Sequence, residues 1–295
     1  MPEPTVAILG TGRMGSAIAE RLAAQGIAVT VYNRTPDRAV TLAERIGGRT
    51  AATPAEAAAG ADVIISMVAD DAAVRALFGG PDGIAAGIRS DSVAVDMSTV
   101  LPDTIQSVAP SIEATGAGIL DGPVSGSVAS TLAGELTIMV GGEAAALERA
   151  RWVFDRLARR LFHVGPLGTG AAMKLAVNTL VYGLNGALSE GLVLAERNGI
   201  DRALAYDVFA ASAAGAPFVG YKRAAFMEPD ATPVAFSLAL AEKDLRLIDE
   251  LAGASRTPMP QAKANLEEIQ AATRSAGGDA DFSMVASHLR EEGRR

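Results

Sequence analysis

The stretch Gly10-Thr11-Gly12-Arg13-Met14-Gly15 constrains the fold of this chain more than any other. It follows the apolar run Val6-Ala7-Ile8-Leu9, opens a helical pattern, and is followed by a second apolar run, Ala28 to Tyr32. A G-x-G-x-x-G sequence in a chain with 31 glycines is by itself no more than a turn. Strand, glycine turn, helix and strand in that order form the unit that cradles a dinucleotide. Gly10 allows the tight turn, Gly12 lets backbone approach a pyrophosphate, and Gly15 lets the helix lie close to the strand. The helix N-terminus then turns unpaired N–H groups and a partial positive charge toward the diphosphate.

The end of the second strand bears on which dinucleotide. An NAD-selective site places Asp or Glu there, on the ribose diol. This chain reads Asn33-Arg34-Thr35 instead. A guanidinium can grip a 2′-phosphate with paired charge-assisted hydrogen bonds, whereas a carboxylate repels it. NADP(H) is therefore favoured over NAD(H). Thr35 and Pro36 also suit the N-cap and first position of the next helix, with Arg38 one turn further on.

Composition closes off several classes. With 49% hydrophobic and 20% charged residues, the 295-residue chain suits two globular domains. A net charge of −8 without a basic run argues against a nucleic-acid partner. Without cysteine, and with only His163 and His288, thiolate chemistry is excluded and no metal site is expected. The first apolar run begins near residue 5 and no apolar stretch reaches spanning length, so a cytoplasmic protein without a membrane partner is expected.

The first half alternates strand-length apolar runs, among them 62–68, 92–97, 118–120, 136–140 and 161–164, with helical segments. Thr53-Pro54-Ala55-Glu56 has capping-box spacing. Uniformly apolar strands between helices predict an α/β domain with a mostly parallel sheet covered on both faces. From Gly170 to Asn198 the pattern turns to one long proline-free helix, and further helices are expected around 202–211, 237–251 and 260–273. The predicted division is 1–164, a dinucleotide-binding α/β domain, and 165–295, an all-α domain. The last dozen residues are expected to fray.

Proton transfer beside a nicotinamide then needs a group other than Cys or His. Lys174, in Gly168-Thr169-Gly170-Ala171-Ala172-Met173-Lys174, is the candidate, with Asn178 four residues on along the same helical face. An ammonium can donate to a developing alkoxide, although most helical lysines are merely solvated.

Four segments in order sharpen this reading: Gly10 to Gly15; Asp121-Gly122-Pro123-Val124-Ser125-Gly126; Gly168 to Asn178; and Lys243-Asp244-Leu245. Together they resemble the β-hydroxyacid dehydrogenase family over nearly the whole chain. The resemblance implies a Rossmann-like domain followed by an all-helical domain, with the active site in the cleft between them. It implies that Lys174 is the proton donor in carbonyl reduction and that Asn178 orients substrate. Ser125 and Gly126, with Ser127 beside them, match the loop that holds a substrate carboxylate. Lys243 matches a lysine near the nicotinamide, with Asp244 holding it in place. Ser98-Thr99 and Met67-Val68 match segments beside the nicotinamide ribose and the adenosine. A small carboxylated substrate and a homodimer or homotetramer follow from the same likeness.

Gly122 stands where alanine is usual, Ser127 where glycine is frequent, and Arg13 is unusual in the phosphate turn. Val128-Ala129-Ser130-Thr131 reads as an uncharged loop. His163 reads as structural. Phe218, Phe226 and Met227 read as core, and Tyr221 as a pocket residue. Two other readings stay open: an imine reductase on the same fold, from which the presence of Lys174 departs, and a non-catalytic NADP-binding protein.

Overall fold

The structure is a computed structural model that describes residues 4–292. The chain divides into two compact units, Met1–Lys174 and Leu175–Arg295. The expected boundary at 164 lies at the end of the last strand of the first unit, and the first turn of the following helix is bonded into the sheet unit.

In the first unit, nine strands among the described residues form one sheet: β1 (Thr5–Leu9), β2 (Ala28–Tyr32), β3 (Arg49–Thr50), β4 (Val63–Ser66), β5 (Val93–Asp96), β6 (Gly118–Asp121), β7 (Val124–Ser125), β8 (Leu136–Gly142) and β9 (Ala158–Gly165). Their order is β3-β2-β1-β4-β5-β6-β8-β7, with β9 on β8. The strands from β3 to β6 are all parallel; β8 runs antiparallel to β6 and β7. Strand order reverses between β1 and β4, which opens a crevice at their C-terminal ends. The short strands β3 and β7 carry no apolar run, and the sequence reading missed them.

Eight helices accompany these strands: α1 (Arg13–Ala24), α2 (Pro36–Ile46), α3 (Pro54–Ala59), α4 (Asp71–Phe78), α5 (Ile84–Gly87), α6 (Pro102–Glu113), α7 (Val128–Ala133) and α8 (Ala144–Leu157). Alternate strand residues face opposite ways. Val6, Ile8, Val63 and Ile65 pack with Ile18, Leu22 and Phe154, whereas Ala7, Leu9 and Ile64 pack with Phe78, Ile105 and Ile112. Two buried faces explain why the strands are apolar throughout rather than alternating. At α3 the capping box forms: Thr53 Oγ1 accepts the Glu56 N–H at 3.0 Å, and Glu56 accepts the Ala52 N–H at 2.7 Å. Thr35 occupies the N-cap of α2 but its hydroxyl makes no cap bond, which corrects the expected cap. Residues 128–131, read as a loop, lie in α7, whose N-cap hydroxyl is Ser127.

The second unit is helical: α9 (Thr169–Arg197, begun within the first unit), α10 (Arg202–Ala211), α11 (Pro217–Met227), α12 (Leu238–Ser255), α13 (Pro260–Ala276) and α14 (Met284–Glu292). The last of these corrects the expected frayed tail. Val285 and Ala286 are buried, and Arg290 binds Glu196 through two contacts of 2.8 Å. That burial and the paired contact outweigh the entropy that frees a polar tail. Residues 293–295 of that segment lie outside the described residues. No helix among the described residues is long and apolar enough to cross a membrane.

Candidate active site

At the end of β1, Gly10 has φ 105°, and a Cβ there would run into the Met67 carbonyl oxygen. A Cβ on Gly15 would strike the Gly10 carbonyl oxygen. These two glycines close the turn against itself and β4. Gly12 differs, because nothing lies within 4 Å of where its Cβ would stand. It is also the N-cap of α1, with no side chain capping the helix. The first-turn N–H groups around Arg13 and Met14 therefore adjoin an open backbone face, which fits the diphosphate of a dinucleotide.

Asn33 braces this turn. Its Oδ1 accepts the Thr11 N–H at 3.2 Å, and its Nδ2 donates to the Thr35 carbonyl at 3.0 Å. Arg34 beside it is exposed. A cavity of about 280 Å³ adjoins the turn, lined by Thr11, Ser16, Arg38, Thr41 and Arg45 among others. Thr11 Oγ1 is buried with no hydrogen-bond partner, a polar atom available to a ligand. Ser16, Thr41 and Arg45 were not singled out from sequence; their spacing along α1 and α2 is the only signal they carry.

The ends of β4 and β5 are tied by a buried carboxylate. Asp96 Oδ1 accepts the Ser66 hydroxyl at 2.6 Å and the Ser98 hydroxyl at 2.8 Å, while Ser98 Oγ accepts the Val68 N–H at 3.0 Å. Burial pushes the Asp96 carboxyl up to about 6, against the pull of the two hydroxyls. Met67, Val68 and the half-buried Thr99 are thereby fixed at the C-terminal rim of the sheet. Asp71 Oδ1 holds the next loop, accepting the Leu101 N–H at 3.0 Å and the Thr104 hydroxyl at 2.5 Å.

Asp121, at the end of β6, does the same for the start of α9. Oδ1 accepts the Gly168 N–H at 2.8 Å and Oδ2 accepts the Ala171 N–H at 2.6 Å. Burial raises this carboxyl too, while those N–H bonds oppose the rise. One turn beyond this anchor stands the half-buried Lys174. Nearby in the chain, Ser125 ends β7 half-buried and Gly126 is exposed at φ 150°. A Gly126 Cβ would come within 2.7 Å of Leu136 Cδ2. The Ser127 hydroxyl is committed to capping α7, accepting the Ser130 N–H at 3.2 Å.

In the second unit Asp244 gathers three groups. Its Oδ2 accepts Asn178 Nδ2 and the Tyr182 hydroxyl, each at 2.8 Å, and its Oδ1 pairs with Lys243 Nζ at 2.7 Å. Asn178 and Tyr182 follow Lys174 at steps of four along one face of α9. Burial, and then the Asp244 charge, hold the Tyr182 hydroxyl well above its ordinary range, so it stays protonated and donates. Tyr182, Asp96 and Asp121 were not assigned from sequence. The i+4 spacing from Asn178, and a carboxylate closing each of two apolar strands, are the signals that could have found them. Tyr221 is 57% exposed, with its ring edge-on to the buried Phe218. His163 Nε2 donates to the Gly142 carbonyl at 2.8 Å within the sheet.

Residues 5–165 match the family described as the NAD binding domain of 6-phosphogluconate dehydrogenase. Residues 168–289 match that described as NAD-binding of NADP-dependent 3-hydroxyisobutyrate dehydrogenase. The chain is 34% identical to glyoxylate/succinic semialdehyde reductase 1 of Arabidopsis thaliana, over 95% of this chain and 96% of that one. It is 33% identical to a 3-hydroxyisobutyrate dehydrogenase of Pseudomonas aeruginosa, over the same two shares. The crystal structure of 3-hydroxyisobutyrate dehydrogenase from Salmonella typhimurium superposes with a TM-score of 0.87 at 28% identity, covering 97% of this chain and 99% of that one.

Proposed function

Because the chain belongs to the β-hydroxyacid dehydrogenase family, as an NAD(P)-dependent enzyme acting on CH–OH groups, we propose that it interconverts a small 3-hydroxyacid and its semialdehyde or oxoacid with NADP(H). The observation that carries this reading is the Asp121 anchor. It fixes the first turn of α9, and so the backbone from which Lys174 projects.

When bound, the reduced nicotinamide supplies the hydride. Lys174 donates a proton to the carbonyl oxygen as charge develops on it, and takes it back in the oxidative direction. Asn178, held by Asp244, orients the substrate one turn further along the helix. Ser125 and the backbone amide of Gly126 bind the carboxylate, so anchoring energy reaches the reacting carbonyl as positioning. Glyoxylate, succinic semialdehyde and 3-hydroxyisobutyrate, after which the relatives are named, all carry that carboxylate. Arg34 and Arg38 grip the 2′-phosphate of NADP(H); β2 ends without an acidic residue, and Asp37 lines the cavity beside Arg38.

NADPH oxidation against carboxylated semialdehydes, glyoxylate, their neutral analogues and cyclic imines tests the reading. The acids are expected to exceed matched neutral compounds in kcat/KM by at least about tenfold, equivalent to ~1.4 kcal/mol. Efficient reduction of imines with the acids ignored would move the chain to the imine reductases.

A further inference from the structure

An asparagine side chain carries a donor NH₂ and an acceptor oxygen of nearly the same shape on a soft final torsion, so its chemistry depends on what fixes it. For Asn178 the fixing group is Asp244. An ionised carboxylate only accepts, so the end of Asn178 that meets Asp244 Oδ2 at 2.8 Å is Nδ2. The amide oxygen is thereby turned away from Asp244. Beside a centre that exchanges a proton, that oxygen can hold a hydroxyl or ammonium hydrogen but cannot donate to a carbonyl.

This orientation lasts only while Asp244 accepts on both oxygens. Oδ1 is paired with Lys243 Nζ at 2.7 Å. On Oδ2 a second donor stands beside Asn178, the Tyr182 hydroxyl, also at 2.8 Å. Asn178, Tyr182 and Asp244 are 5%, 3% and 2% exposed, so water competes little for these bonds. A hydroxyl donating to a carboxylate makes one of the stronger hydrogen bonds in a protein. Without it, Oδ2 would keep Asn178 alone, and a buried carboxylate short of a donor gains by turning or by taking up a proton. A protonated Oδ2 would itself donate, and the Asn178 amide could then turn its oxygen inward.

The Tyr182 ring has a separate task. It packs edge-on to Phe282, with centroids 6.1 Å apart, a contact that needs no hydroxyl. We propose that Tyr182 is a positioning residue for the reaction: by donating to Asp244 it keeps the Asn178 amide oxygen outward, as the acceptor in the site. This role rests on the reading of Asn178 as the residue that orients substrate. The phenol acts through Asp244 and does not touch the substrate.

Tyr182→Phe keeps the ring and removes only the hydroxyl. On whichever compound the wild type turns over fastest, kcat is expected to fall at least about fivefold with the KM for NADPH unchanged. In an Asn178→Ala background the same change should alter kcat by less than about twofold, because no amide remains to be held. Tyr182→Met, which also gives up the ring contact with Phe282, should unfold at lower urea than Tyr182→Phe yet match its kcat. A kcat within about twofold of wild type in Tyr182→Phe, beside a slow Asn178→Ala, would overturn the role of Tyr182, as would an equal loss in both backgrounds. Wild-type kcat in Asn178→Ala would instead strike the reading of Asn178 and the role built on it. All comparisons are ratios between variants on one compound, so they hold whether that compound is an acid or an imine.

Discussion

Asp96 and Asp121 stand directly opposite each other in the parallel register of β5 and β6, and each ties a different loop to the sheet. Asp96 holds the turn after β4 through Ser66 and Ser98, and Asp121 holds the first turn of α9. The Asp121 charge adds to the upward push on Asp96. Two neighbouring carboxylates thus set the turn beside the proposed cofactor site and the start of the helix that carries Lys174.

The Asp96 carboxyl is raised from its ordinary 3.8 to about 6. Folding therefore favours the protonated form. The associated stability is complete below pH 3.8 and is lost as pH rises through about 6. Asp96→Asn removes this dependence while keeping one acceptor for the two hydroxyls. Urea unfolding at pH 5 and 7.5 should show the variant gaining roughly 1.4 kcal/mol relative to wild type between those values. A constant difference would mean that Asp96 is ionised throughout.

Asp121→Asn should be more damaging, because an amide oxygen can replace only one of the two acceptors and its NH₂ would face the other N–H. A hydrogen bond to a charged group contributes about 1.5–3 kcal/mol, so a stability loss of that order is expected in denaturant unfolding. Catalysis should report the same displacement, with kcat lowered more than cofactor affinity. Wild-type kcat in a destabilised Asp121→Asn protein would show that Lys174 does not depend on this anchor.

Lys174→Ala should lower kcat by a factor on the order of 10²–10⁴ while leaving NADPH affinity nearly unchanged. In the proposed mechanism the lysine acts on the substrate oxygen, whereas the diphosphate rests on α1. Steady-state kinetics and fluorescence titration of NADPH separate the two effects. Near wild-type kcat would end its assignment as proton donor.

Arg34→Ala and Arg38→Ala should each weaken NADPH far more than NADH, by ~1.5–3 kcal/mol for a lost charge-assisted contact. Arg38 lines the cavity beside Thr11, whereas Arg34 stands exposed at the strand end. Direct titration of each variant with both cofactors tells them apart. Equal losses for the two cofactors would assign these arginines to the loop and not to the phosphate.

The buried pair Lys222–Asp281, at 2.5 Å, supplies a stability test away from the site. Asp281 also accepts the N–H groups of Ala235, Phe236 and Ser283, and Lys222 lies 4.4 Å from the centre of the Phe282 ring. Lys222→Met leaves a buried carboxylate without its cation and should cost about 3–5 kcal/mol in denaturant unfolding. A loss below ~1 kcal/mol would mean that the backbone donors alone satisfy Asp281.

The βαβ unit, the apolar strands and the long helix are legible in the chain, because each is written in residues that neighbour one another along it. Gly10 and Gly15 follow from local geometry, and Asn178 from a helical step of four after Lys174. The partners across distance come from the folded arrangement: Asp121 with Gly168 and Ala171, Asp96 with Ser66, Asp244 with Asn178 and Tyr182. It likewise turned the expected tail into a helix, through Arg290 and Glu196, which are 94 residues apart. Periodicity records which face of an element is buried. A buried carboxylate, by contrast, is stable only where the fold brings donors to it from elsewhere, and no local pattern encodes which donors those are.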